Sequence, residues 1–167
     1  MAETVRIEGL QQLSQTLMKL PARLEKNVIL GALRAAGQVI RREAMARVPV
    51  LQKPDPRRRA GTVRKNITVR RARGRLAVYV GVASISKKAN AAFKAGGGQK
   101  GANNPDDPYY WTWIEFGTKF QPARPFLRPA FEAKKYEALR KFDEYMKKRL
   151  VKEAQKLARE NGMRRAA

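Results

Sequence analysis

Glu115, set among rings in YYWTWIEFG, is the first residue here whose surroundings suggest chemistry. An acid in apolar surroundings is the kind of group enzymes use for proton transfer. It would need a second acid and a nucleophile close by, and the spacing offers neither. The chain has no cysteine and no histidine. That excludes thiolate sites and removes the commonest general base and metal ligand. The structural expectation for Glu115 is an ion pair with Arg124 or Arg128 that fixes the local geometry. Asp106 and Asp107 are adjacent acids in a loop, a pattern that either binds a cation or is simply solvated. GGGQKGA, residues 96–102, lacks the spacing of a phosphate-binding loop, and Gly101 stands where Ser or Thr should follow the lysine. The expectation is therefore no catalytic site, no metal, no cofactor and no small-molecule substrate.

Cations carry the stronger signal. The 167 residues hold 37 Lys+Arg against 14 Asp+Glu, a formal net charge of +23. Residues 41–75 alone hold 13 Lys/Arg and two acids, Glu43 and Asp55, a net +11. Pairing within the chain cannot neutralise so one-sided a run, and arginine's fork suits phosphate. Arg57, Arg58, Arg59, Arg64, Lys65, Arg70, Arg71 and Arg73 are the candidate phosphate-facing residues. No zinc-finger spacing, recognition-helix motif or aromatic RNA-binding box is present, so contact with double-stranded DNA would be sequence-independent.

The elements that must position these residues follow from pattern. TVRIEG alternates and predicts a short strand over 4–9; Leu10, Leu13, Leu17 and Leu20 predict a helix closed by Pro21. Residues 22–48 predict a long helix with Leu24, Val28, Ala32, Ala35 and Val39 on one stripe. VLQKPDPRRRAG is a loop. Thr62–Ser84 predicts a β-hairpin turning at Gly74, with Leu76 opening the second strand. Residues 84–107, rich in Gly and Asn, predict a flexible insertion. Tyr110, Trp113 and Ile114 predict one helical face ended by Gly117, with an aromatic strand as the alternative. A last helix should start near Pro129 and run to Asn161, with Phe131, Leu139, Phe142, Met146, Leu150, Ala154 and Leu157 inward and Glu144 paired to Lys148. The fold class is α+β: a small, mostly antiparallel sheet packed by long helices. Residues 1–135 form one domain and 129–167 a C-terminal helical extension. No apolar run suits a membrane span, and MAETVRIEGL has no signal-peptide core, so a soluble protein without membrane contact is expected.

WIEFGTKFQPARPFLRPAF concentrates aromatics and prolines immediately before that last helix. Tyr109, Tyr110, Trp111 and Trp113 are too many rings for one inward face, so some must point outward. Exposed rings beside arginine mark protein interfaces, and prolines lower the entropy lost on docking. The candidate interface residues are Tyr110, Trp111, Trp113, Glu115, Phe116, Gly117, Phe120, Pro125, Phe126 and Arg128.

These segments resemble the neck, or tail-completion, proteins of long-tailed bacteriophages, a group that includes head–tail joining and minor tail proteins. VRIEGLQQLSQTLMKLP is similar to that family's opening strand and helix, AMARVP to the end of its second helix, and AGTVRKNITV to its "tG.Lr.sI" step. YYWTWIEFGTKFQPARPFLRPAFE resembles the "vEfGT … PFLRPA" signature. The resemblance implies a non-catalytic virion protein at the head–tail junction, assembled in the host cytoplasm. It implies a ring, a hexamer under the tail's symmetry, around the DNA channel, with head-closure and tail-terminator rings as neighbours. A free, sequence-independent nucleic-acid-binding protein is the alternative.

Overall fold

The computed structural model describes residues 22–52, 55, 58–97 and 104–165. The strand expected over 4–9, the helix after it, Arg57 and residues 98–103 lie outside them. The described chain is α+β: five helices and one two-stranded antiparallel sheet.

Helix α1, Ala22–Arg47, forms because apolar residues recur at helical spacing with no proline until Pro49. Val28, Ala32, Val39 and Ala44 are buried along it, and Val48 donates the closing bond to the Ala44 carbonyl at 2.9 Å. Two glycines bring neighbours close. A Cβ on Gly31 would lie 2.5 Å from the hydroxyl of Tyr145, and one on Gly37 would lie 2.9 Å from Cγ1 of Val69. Near Gly31 α1 therefore lies close against the last helix, and near Gly37 close against the sheet.

The expected hairpin starts later than the pattern suggests. Thr62–Asn66 is a helical turn, α2, and the strands are β1, Ile67–Arg71, and β2, Val78–Val82. Gly61, at φ 76, makes the backbone turn that starts α2, and Asn66 donates to the Thr62 carbonyl at 2.9 Å. Leu76 is not in β2; it lies exposed in the turn beside Gly74, whose φ is 69. Ile67 pairs with Val82 and Val69 with Val80, which sets the valine-rich face against α1.

The segment expected to be wholly loop contains helix α3, Lys87–Ala95, capped by the Ser86 hydroxyl, which accepts from the Ala89 amide at 3.1 Å. Its alanines supply helix propensity that the surrounding glycines obscure. None of its residues is buried.

Helix α4, Trp111–Phe116, leads into a corner and then into α5, Leu127–Arg165. At 39 residues α5 is about 58 Å long. It lies antiparallel to α1. Ala44 and Ala130 meet in one core cluster, Val28 and Met146 in the other. The first cluster also takes Val63, Ile67 and Phe126, so both long helices, α2, the sheet and α4 converge there.

The stripe of α5 differs from expectation at its start. Phe131 is exposed, and Ala130 and Ala138 take the buried positions. Small residues at the crossing let the helices approach more closely than a ring would allow. Leu139 and Phe142 are half-buried, Met146 and Leu150 buried. Glu144 pairs with Lys141 at 2.9 Å rather than with Lys148. The side chains of Ala154 and Leu157 lie outside the described part of the chain.

Candidate assembly corner and basic face

Helix α5 begins without a capping side chain of its own and with no acid in its first turn. Its opening amides still need acceptors, as every helix start does. Glu115, reaching from α4, supplies them. Oε2 accepts from the amides of Phe126 (2.7 Å) and Leu127 (3.0 Å), and Oε1 from Arg128 (3.2 Å). The next residue, Pro129, has no N–H to satisfy. Ala130 then donates to the Phe126 carbonyl at 3.2 Å, the first bond of the helix. Every orphan donor at this end is thus accounted for. The carboxylate also sits at the positive end of the helix dipole. Glu115 is 4 % exposed. The arginine pairing expected for it is not what forms: its partners are backbone amides, and Arg128 instead lies over the ring of Phe116, 5.4 Å from its centroid.

Gly117 makes the corner possible. It closes α4 by donating to the Trp113 carbonyl at 3.0 Å, then takes φ 76 and ψ −179, a conformation essentially reserved for glycine. A Cβ there would lie 2.8 Å from the Ala123 nitrogen and 3.0 Å from the Gln121 oxygen, both backbone atoms. The chain then reverses through Thr118–Gln121. Thr118 donates to the Gln121 carbonyl at 2.8 Å, and its hydroxyl accepts from Phe120 (3.3 Å) and Gln121 (3.1 Å). Arg124 returns a backbone bond to the Ile114 carbonyl at 2.8 Å.

This framework sorts the rings. Tyr110, Trp111 and Ile114 pack against the core. Trp113, expected on that same face, points outward and is 43 % exposed; Phe116 is 59 % and Phe120, at the tip of the reversal, 91 % exposed. One helical turn cannot carry 110, 113 and 114 inward along with 111, and Trp111 takes the inward place. Tyr109 stands edge-on to both Tyr110 and Trp113, at 5.5 and 5.4 Å between centroids. Of the remaining candidate interface residues, Phe126 is buried and supports the corner from within, and Pro125 is exposed.

The residues before α4 are ordered by short polar side chains. Asn104 Oδ1 accepts from the Asp106 amide (3.0 Å), and Asp107 Oδ1 from the Tyr109 amide (3.2 Å). Asp107 is buried and Asp106 pairs with Arg59 at 3.1 Å, so the two adjacent acids have separate structural tasks. Among the described residues no cluster of acids is arranged to hold a metal, and no helix is long and apolar enough to cross a membrane.

The basic residues divide into two groups. Arg58 stacks on Tyr110, 4.7 Å from its centroid, and Arg59 holds Asp106, so both are tied to the corner. Burial pushes the Tyr110 hydroxyl above its ordinary pKa, with Arg58 and Thr62 pulling the other way. Arg64 and Lys65 on α2, Arg70 and Arg71 on β1, and Arg73 in the hairpin turn are all exposed, and none is in an ion pair among the described residues. Arg70 is paired in register with exposed Tyr79, on the sheet face away from α1. Sequence reasoning missed Arg41, whose Nε donates to the Ile67 carbonyl at 2.6 Å and ties α1 to the start of β1. Nothing in the pattern distinguishes it from neighbouring arginines.

No curated protein and no solved structure matches the chain. Residues 11–117 match the family described as "Bacteriophage HK97-gp10, putative tail-component". The match runs through α1, the hairpin, α3 and α4, and ends at Gly117. It covers well over half of the sequence: the chain belongs to the HK97-gp10-like family of bacteriophage tail components.

Proposed function

We propose that this structural tail protein assembles as a ring at the head-proximal end of the tail, around the path of the DNA, where it joins tail to head. The observation that carries the reading is the corner itself. Trp113, Phe116 and Phe120 are exposed on a backbone that Glu115 and Gly117 hold in one geometry. Large rings kept in water on a pre-formed support bury well against a partner, because little entropy remains to be lost on docking. The partners in this reading are further copies of the chain, six in a closed ring, and the head-closure and tail-terminator rings on either side. The exposed cations of α2 and β1 face DNA phosphates or acidic protein, contacts that depend on charge and not on base sequence.

Purified phage particles test it. Mass spectrometry of particles should find the chain in a fixed multiple of copies, and gold labelling should place it at the head–tail junction. A chain absent from particles and strictly monomeric in solution defeats the proposal. The hairpin cations, in no ion pair among the described residues, favour one second reading, a free nucleic-acid-binding protein. That reading predicts salt-sensitive retardation of DNA by a chain that never enters the particle.

A further inference from the structure

An open groove of about 730 Å3 lies between the loop that follows α1 and the corner. Val50 and Leu51 form one apolar side and Tyr110 and Trp113 the other, with Arg58 and Arg124 in the lining. Val50, Leu51 and Trp113 are exposed although large and apolar. Among the described lining residues there are two cations and no acid, while Asp55, whose backbone bridges to that of Arg58, lies near enough to act on Tyr110.

We propose that this groove receives a segment of a different tail or head protein, one that carries carboxylates beside a large apolar side chain. The inference rests on the connector reading and names the chemistry of one partner. Net charge favours a different, acidic chain over a second copy, and a second copy offering Phe131 beside Glu132 is the outcome that a self-association measurement separates. Two of the most exposed rings this chain could offer come with their own cations: Lys119 lies 6.0 Å from Phe120 and Arg128 5.4 Å from Phe116. Tyr79 is registered opposite Arg70. Any of them would bring like charge between Arg58 and Arg124, on a chain whose net charge is already +23. An acidic segment meets both arginines with opposite charge while its apolar side chain covers Leu51 and Trp113.

The probe is a fluorescent synthetic peptide of alternating glutamate and leucine with one phenylalanine; its lysine-for-glutamate counterpart is the control. The wild-type chain should bind the first and not the second. Leu51→Asp and Arg124→Glu should each weaken binding at least about tenfold, the scale of one misplaced charge at an interface. Arg124→Lys should keep most of it, and Arg71→Glu, on the distant hairpin, should change it by less than about twofold. The sequence has no cysteine, so Leu51→Cys gives a unique attachment point for a fluorophore whose emission should shift on peptide binding, a readout independent of the other variants' folding. Equal loss in Arg71→Glu, or no loss in Leu51→Asp, would reduce the effect to general charge attraction and overturn the assignment. So would Leu51→Asp abolishing self-association, since the groove would then hold a second copy. A chain that joins particles but ignores the peptide refutes the groove alone. One that binds the peptide but never joins particles refutes the connector reading alone.

Discussion

Glu115 and Gly117 sit two residues apart and do different work on the same corner. Removing the carboxylate in Glu115→Ala leaves three helix-start amides without their acceptor, that of Phe126 fully buried and those of Leu127 and Arg128 partly so. That should destabilise the chain by about 3 kcal/mol, read as a lower urea midpoint at unchanged slope. Glu115→Gln keeps one acceptor oxygen but turns an NH2 toward an N–H, so about 2 kcal/mol is expected. An arginine-paired glutamate would respond differently: Arg124→Ala or Arg128→Ala would then reproduce the loss, whereas here each should stay within about 0.5 kcal/mol. Gly117→Ala meets both a forbidden backbone region and two backbone atoms, and a cost of about 3 kcal/mol is expected. The sequence marks both residues as fixing the corner but misnames the partner of Glu115. Charge pattern points to arginines, because they are the visible opposite charges. Amide donors are the same in every residue, so a cap reaching across eleven positions leaves no local sign. Proline at 129 is the one trace, since it deletes the donor that Glu115 has no lone pair aimed at.

Among the elements, the long helices are legible because their apolar spacing is sustained over many turns, which no strand could share. The short ones are not. Thr62–Asn66 reads as strand because TVRKN precedes a true strand and carries no helical period of its own; Gly61 and the Asn66 bond to Thr62 decide it. The face of α4 is misread by one residue, since six residues hold too little of the period to fix its phase. The glycines of α1 sit at close approaches that pattern alone does not rank, and they predict unequal responses. At Gly31 the obstacle is the far end of Tyr145, a partly exposed side chain that can swing aside. Gly31→Ala should therefore be neutral, or stabilising by about 0.5 kcal/mol through helix propensity. At Gly37 the obstacle is Val69, buried and fixed in the sheet. Gly37→Ala should cost about 1 to 2 kcal/mol despite the same propensity gain. Thermal melts of the two variants side by side test this difference, and an equal response from both would contradict it.

Across the whole molecule, acids are spent locally and cations are left over. Of the seven ion pairs seen among the described residues, six join residues three or four apart within α1 or α5, and the other ties Arg59 to Asp106. These pairs leave α2 and the hairpin with Arg64, Lys65, Arg70, Arg71 and Arg73 in no ion pair among the described residues. Such a surplus of cations attracts a polyanion and makes binding depend on salt through counterion release. For a random duplex measured by fluorescence anisotropy, log affinity should fall linearly with log salt. Replacing Arg70, Arg71 and Arg73 together by alanine should flatten that slope by about 0.9 for each phosphate no longer neutralised, so by about 2 to 3. Replacing Lys141 and Lys147, whose charges Glu144 and Asp143 already answer, should change it by less than about 0.5. The triple variant should lose affinity equally for AT-rich and GC-rich duplexes, because a face with no base-reading geometry senses phosphate alone. An unchanged slope in the triple variant would mean that these cations meet acidic protein in the assembled tail and that DNA passes without touching them.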